Sequence, residues 1–279
     1  GVWSADVAAA SAGQQYKYVM NGSVWRRDPR SARVVHAGDT DSIIYDQNAY
    51  AWSSSNFTPP PLDRMVIYEL HVGTFNDPNP SASGSAGLDD ARQKLDYLTE
   101  LGVNAVKIMP VTEFPGTHSW GYNPTDLYAV DNLTYGGPDA LKRFVDAAHQ
   151  RGIAVLLDIV HNHYGSGDLP GDLQYSLWEF DGTTGALGGG IYFDQDPDQA
   201  YTSWGPRPDY ARPEVRDFIK DNARMWLRDY RIDGFRWDAT KFIRSTTAGD
   251  PIAEGITLIK EINDIIATEF TNKISIAED

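Results

Sequence analysis

The sequence predicts an α/β fold built on parallel strands, and three observations carry that expectation. Beyond Pro59-Pro60-Pro61, strand-like and helix-like segments alternate to the last residue. The segment Ala154-Val155-Leu156-Leu157-Asp158 is apolar on both faces, as a parallel strand covered by helices must be. Asp158, Asp238 and Glu278 fall at or just past the C-terminal ends of strand segments, the rim where a (β/α)8 TIM barrel carries its chemistry.

The elements follow in order. Residues 1–60 hold short β-type runs, Tyr16-Lys17-Tyr18-Val19-Met20 and Ser42-Ile43-Ile44-Tyr45, broken by Asn-Gly, Asp-Pro and Gly-Asp turns. The triple proline then reads as a stiff linker. A first barrel strand lies near Val66-Ile67-Tyr68-Glu69-Leu70. One helix is expected to carry Leu88, Ala91, Leu95, Leu98 and Leu101 on a single face, ending at Gly102.

Ala105-Val106-Lys107-Ile108-Met109 is the second strand. A helix from about Pro138 buries Leu141, Phe144, Val145 and Ala148 and stops at Arg151-Gly152. After a long insertion, Pro213 opens a helix with Val215, Phe218, Ile219 and Trp226. Gly234-Phe235-Arg236-Trp237, an Ile-rich helix over roughly 252–270, and Ile274-Ser275-Ile276-Ala277 complete the series.

Five strands and four helices fit either a (β/α)8 barrel or a doubly wound sheet. The acidic strand ends favour the barrel. Such residues also serve as helix N-caps or structural ion pairs, so spacing alone leaves a catalytic and a structural reading open.

Composition narrows the function. The 279 residues carry a net charge of −15, which excludes a phosphate-binding, nucleic-acid surface and suits a neutral, hydroxyl-rich ligand. Twelve per cent aromatic residues supply rings for sugar stacking or for a large core. There is no cysteine, hence no disulfide or thiolate metal site. No apolar run approaches the roughly 18 residues of a membrane span. Gly1-Val2-Trp3-Ser4 has neither a basic nor an apolar leader region, as in a mature secreted chain or a cytoplasmic one.

Three motifs then stand in order. Asp158-Ile-Val-His-Asn162-His163, Gly234-Phe-Arg236-Trp-Asp238-Ala and Ile276-Ala-Glu278-Asp279 resemble the first three conserved regions of the α-amylase superfamily, glycoside hydrolase family 13. Gly121-Tyr122-Asn-Pro matches the family's loop after strand two. Tyr68-Glu-Leu-His-Val-Gly-Thr-Phe75 looks like the first strand of glycogen-branching enzymes and their relatives. The resemblance runs from Pro61 onward.

It implies Asp238 as nucleophile and Glu278 as acid/base of a retaining reaction, which needs one ionised and one protonated carboxyl on opposite sides of the sugar. Arg236, two residues from Asp238 on the same strand face, would hold it ionised and oriented. By the same resemblance His163 donates to a glucose hydroxyl, Tyr122 stacks on its ring, and Asp158 supports Arg236. The structural alternatives are an Arg236–Asp238 pair, a core histidine and a packed tyrosine.

The insertion over about 164–212 is where the family places its small extra domain. It is Gly-rich (Gly188-Gly189-Gly190), with Trp178, Phe180, Tyr192, Phe193, Tyr201, Trp204 and Tyr210. Most of these rings are expected to pack the insertion, and one or two to stack on glucan. In many amylases the asparagine matching Asn162 binds calcium together with a backbone carbonyl at a Lys-His pair. Here Lys241-Phe242 stands there, and the expectation is no metal and no cofactor, with Asn162 positioning its loop.

Residues 1–60 resemble the end of the carbohydrate-binding β-sandwich that precedes branching and debranching enzymes, and 61–279 the front of the barrel. With Met109-Pro-Val-Thr-Glu113, this favours a 1,4-α-glucan branching enzyme. An α-amylase-type or maltooligosyltrehalose hydrolase is the alternative, and a non-catalytic glucan-binding protein is one of another class. The family's fourth region, usually His-Asp, is not found before Asp279. About five of eight barrel strands are expected, with the remaining part of the enzyme as the partner. The substrate implied is an α-glucan, in the cytoplasm for a branching enzyme and outside the cell for an amylase.

Overall fold

A computed structural model describes residues 6–36, 41–54, 57–79, 86–165, 177–185 and 189–279. In the N-terminal segment, β1 (Gln15–Tyr16) pairs antiparallel with β4 (Ser42–Ile43), and β2 (Tyr18–Met20) with β3 (Val24–Arg26). The expected run from Tyr16 to Met20 is thus split at Lys17.

A row of basic residues then ties this segment across the rest of the chain. Arg26 donates to the Phe180 and Glu179 carbonyls at 2.8 and 2.9 Å. Arg27 meets Asp126 at 2.6 Å, and Arg30 donates to Tyr128 and Asp221 at 2.9 Å each. Arg33 donates to Asn132 at 3.0 Å.

The barrel part begins with β5 (Ile67–Leu70) and the single turn α1 (Val72–Phe75). The helix expected from Leu88 to Leu101 is two: α2 (Leu88–Arg92) and α3 (Leu95–Glu100). Leu88, Ala91, Leu95 and Leu98 are buried as expected, but Leu101 lies beyond the helix and is exposed. The apolar spacing survives the break because each short helix buries its own first turn.

Next come β6 (Ala105–Ile108) and a hairpin that periodicity did not show, β7 (Thr112–Glu113) with β8 (Asp126–Val130). Helix α4 (Gly137–Gln150) covers β9 (Ala154–Ile159). Helices α5 (Pro213–Asp229), α6 (Lys241–Arg244) and α7 (Ala253–Glu269) alternate with β10 (Gly234–Trp237) and β11 (Ile274–Ala277).

Strands β5, β6, β9, β10 and β11 form one all-parallel sheet in the order β11-β10-β9-β6-β5. That is the order of strands in the chain, as in a barrel wall, whereas a doubly wound sheet reverses its order partway. Every residue of β6 and β9 is buried, and the helices pack against them through Leu141, Phe144, Phe218, Ile219 and Trp226. Among the described residues no helix is long and apolar enough to cross a membrane.

Candidate active site

The site assembles at the C-terminal ends of the parallel strands, around one guanidinium. Registration of β9 with β10 sets Asp158 beside Arg236, and both point to the same face. Arg236 Nη1 donates to Asp158 Oδ1 and Oδ2 at 2.8 and 3.0 Å and to Asp238 Oδ1 at 2.9 Å. Its Nη2 lies 2.6 Å from Glu278 Oε1. Burial works against this cation, but Asp158, Tyr122 and Asp238 outweigh it and hold its pKa above the ordinary value.

Asp238 sits one residue past β10, and its N–H donates to Ile159 O at 3.0 Å. Asn162 Nδ2 donates to its Oδ2 at 2.7 Å and to its backbone carbonyl at 3.0 Å. Both carboxylate oxygens therefore have a donor, and the orientation is set from two sides. Burial raises the Asp238 pKa above the ordinary aspartate value; Asn162 and Arg236 pull it down, while Asp158 and Glu278 push it up.

Glu278 follows β11, with its side chain 46% exposed. The turn after Asp238 is fastened to it: Ala239 N–H donates to Glu278 Oε2 at 2.8 Å, and Thr240 donates from N and Oγ1 to the Glu278 carbonyl at 2.9 and 2.6 Å. Ala239 has φ of +44°, a conformation disfavoured for any residue with a Cβ. The strain aims the Ala239 N–H at Glu278.

Tyr122 donates to Asp158 Oδ2 at 2.9 Å, and its ring centre is 5.9 Å from the Arg236 guanidinium. Gly121 before it has φ of +89°, and a Cβ there would meet Pro110 O at 2.3 Å, so only glycine fits.

His163 departs from expectation. Its ring is buried, with Nε2 2.8 Å from Tyr122 O and Nδ1 2.6 Å from Asn162 Oδ1. Burial pushes its pKa down to about 4, against a lift from the Tyr122 carbonyl. The neutral ring has one N–H and two oxygen neighbours, so it ties Tyr122 to Asn162 rather than pointing a free donor outward. Trp204, 51% exposed, lies with its ring centre 6.0 Å from that of His163. Phe193 and Tyr210 of the insertion are buried, as expected for packing rings. Gly188 lies outside the described residues.

Two charged residues were not foreseen. Lys107, on β6, is buried, with Nζ 3.0 Å from Asp158 Oδ2 and 2.5 Å from Glu69 Oε2. Glu69 is its register partner on β5. A lysine inside Ala105-Val-Lys-Ile, a strand buried on both faces, was the signal that could have found it.

For metal, the two atoms singled out by the sequence are both engaged. Asn162 holds Asp238 and faces His163, and the Phe242 carbonyl accepts from Arg207 Nε at 3.0 Å. Among the described residues, His36, Glu113 and Asp131 offer donor atoms within 4.8 Å of one another. Their partners include one another and the backbone: His36 Nδ1 meets Glu113 at 3.2 Å, and Asp131 accepts from Thr134 N and Tyr135 N.

Comparison with known proteins identifies the family. Residues 70–169 match the alpha amylase catalytic domain. A malto-oligosyltrehalose trehalohydrolase of Rhizobium sp. (strain M-11) is 38% identical over 251 residues, 89% of this chain and 38% of that protein. The corresponding protein of Arthrobacter ramosus is 40% identical over 84% of this chain and 36% of its own length. A 1,4-alpha-glucan branching enzyme of Rhodospirillum rubrum is 30% identical over 100% of this chain and 39% of its own.

A crystal structure of a putative alpha amylase from Salmonella typhimurium superposes with a TM-score of 0.78 at 29% identity, over 97% of this chain and 41% of that one. The chain thus spans 36 to 39% of the length of these curated relatives. It belongs to the α-amylase family, glycoside hydrolase family 13, a family of glycosidases and transglycosidases, and carries part of its catalytic domain.

Proposed function

We propose that this chain supplies the nucleophile, Asp238, and the general acid/base, Glu278, of a retaining enzyme that cleaves α-1,4-glucosidic bonds by double displacement. The observation that carries the reading is one guanidinium, Arg236, in contact with Asp158, Asp238 and Glu278 together. Asp238 attacks the anomeric carbon while a protonated Glu278 delivers its proton to the departing glycosidic oxygen. An acceptor hydroxyl then gives a proton back to Glu278 and displaces Asp238. Tyr122 and Trp204 are the rings best sited to flank the sugar. A non-catalytic glucan-binding role would not call for three carboxylates around one guanidinium, one of them buried and repelling its neighbour Asp238.

The acceptor decides the activity. Identities of 38 and 40% to trehalohydrolases, against 30% to a branching enzyme, favour water as acceptor and malto-oligosyltrehalose as substrate. Branching, the reading favoured by sequence, is supported by alignment to such enzymes over the whole chain.

The test uses the full-length protein. Trehalose released from malto-oligosyltrehalose identifies the hydrolase. Loss of iodine staining of amylose, with few new reducing ends, identifies branching. No cleavage of any α-1,4-glucan, in protein that binds glucan, overturns the catalytic reading.

A further inference from the structure

Arg236 has more carboxylates than one guanidinium serves well. Asp158, Asp238 and Glu278 all lie within 3.0 Å of its nitrogens. Asp158 is the most demanding, because its carboxylate is fully buried. An ionised carboxylate without water needs nearby positive charge and donors. Alone, Arg236 would lie closest to Asp158 and give least to the two groups nearest the substrate.

Lys107 changes that balance. Its Nζ reaches Asp158 Oδ2 at 3.0 Å, on the oxygen that also accepts from Tyr122 at 2.9 Å. The lysine comes from β6 and the arginine from β10, on opposite sides of β9, which carries Asp158. Asp158 is thus held between two cations on flanking strands. Glu69, with a side chain 64% exposed, lies at the outer side of Lys107 and holds the ammonium in place.

We propose that Lys107 is a positioning residue for the reaction: by taking one side of Asp158 it frees Arg236 to face Asp238 and Glu278. The inference rests on the retaining mechanism proposed above and names a residue which that mechanism does not contain. Lys107 touches neither Asp238 nor Glu278 in any contact seen here; it acts through Asp158 and Arg236.

The consequence is a charge effect at Asp238. The groups facing Asp238 are Arg236, Asp158 and Glu278, with Asn162 as a neutral donor. Tyr122, Lys107 and Glu69 stand behind Asp158, and His163 behind Asn162. Removing the Lys107 charge draws Arg236 toward Asp158 and leaves Asp238 with less positive potential, so Asp238 ionises at higher pH. Removing the Glu69 charge does the reverse.

The experiment compares Lys107→Met, Lys107→Arg and Glu69→Gln in the full-length protein through the pH dependence of kcat/KM. The acid limb, set by ionisation of the nucleophile, is expected to move up in Lys107→Met by on the order of half a pH unit, the size of one screened charge beyond direct contact. In Lys107→Arg the limb stays in place. In Glu69→Gln it moves down by a smaller amount.

A purely structural lysine predicts a lower melting temperature with an unmoved limb, and that result overturns the proposal. So does a Glu69→Gln limb that moves up. Should Lys107→Met not fold, the unmoved limb expected of Lys107→Arg and the downward shift expected of Glu69→Gln still decide. If the protein turns over no α-glucan, the functional reading fails separately. The relay is then read from carboxyl 13C titration of Asp238, which must move the same way in the same variants.

Discussion

Asp233 and Asp238 stand at the two ends of β10, four residues between them, and their surroundings push them in opposite directions. Asp233, at the N-terminal end, is fully buried. It lies 2.7 Å from both His149 Nε2 and Lys273 Nζ and accepts from Val155 N at 2.8 Å. Burial raises its pKa, but His149 and Lys273 more than compensate and hold it below the ordinary aspartate value. Asp238, at the C-terminal end, is less buried, shares one arginine with two other carboxylates, and is held above that value.

The difference is one of charge matching. At the lower end of the strand one buried carboxylate has Lys273, the His149 ring and a backbone N–H to itself, and the chain gains a fastening. At the upper end carboxylates outnumber cations, a surplus that costs stability and that the proposed chemistry would use. This is the division of labour expected between the two rims of a barrel.

The comparison can be broken most directly at Asp238. In the full-length enzyme Asp238→Asn is expected to lower kcat by about 10⁴-fold or more, while glucan binding is retained. Near-normal turnover would remove the functional half of the contrast. Next in size is Asp233→Asn. It leaves His149 and Lys273 without their shared counter-charge and is expected to cost about 3 kcal/mol or more in unfolding free energy. Activity per folded molecule should hold. A melting curve equal to that of the unaltered protein would show that the lower cluster is not a fastening.

The smallest effect sharpens the contrast through pH. Asp233 binds its proton less readily when folded, so it adds stability above the ordinary aspartate pKa and loses it as pH falls through the folded value. The gap between Asp233→Asn and the unaltered protein should therefore narrow toward pH 3. Asp238 binds its proton more readily when folded, so its contribution is favourable below the ordinary pKa and is lost as pH rises through the folded one. Asp238→Asn should melt no lower than the unaltered protein at pH 7. Melting series that run parallel for the two variants would contradict the opposed shifts.

The upper cluster was far more legible than the lower one. Asp158, Asp238 and Glu278 each follow an apolar run, and their motifs fix their order. Asp233 sits in Arg231-Ile232-Asp233-Gly234, which reads as a turn, because both of its side-chain partners are distant in sequence. Lys107 was hidden for the same reason: its meaning depends on Asp158, 51 residues away. His163 was legible as a site residue, but its engagement with Tyr122 and Asn162 depends on how two loops meet. The split between α2 and α3 was invisible because the apolar spacing continues across Gln93 and Lys94. The β7–β8 hairpin escaped because its strands are short and wholly buried, so neither alternates.

The arginines that tie the N-terminal segment down have a consequence in time. Arg26 binds carbonyls 153 and 154 residues further along the chain, and Arg30 a carboxylate 191 residues along. During synthesis at about 5–20 residues per second, those partners emerge roughly 10–40 s after the arginines. Until then Arg26 and Arg30 lack these partners, and the first segment made is among the last to dock. A nascent chain paused before residue 180 should leave this segment open to protease, whereas one paused after residue 230 and clear of the exit tunnel should protect it.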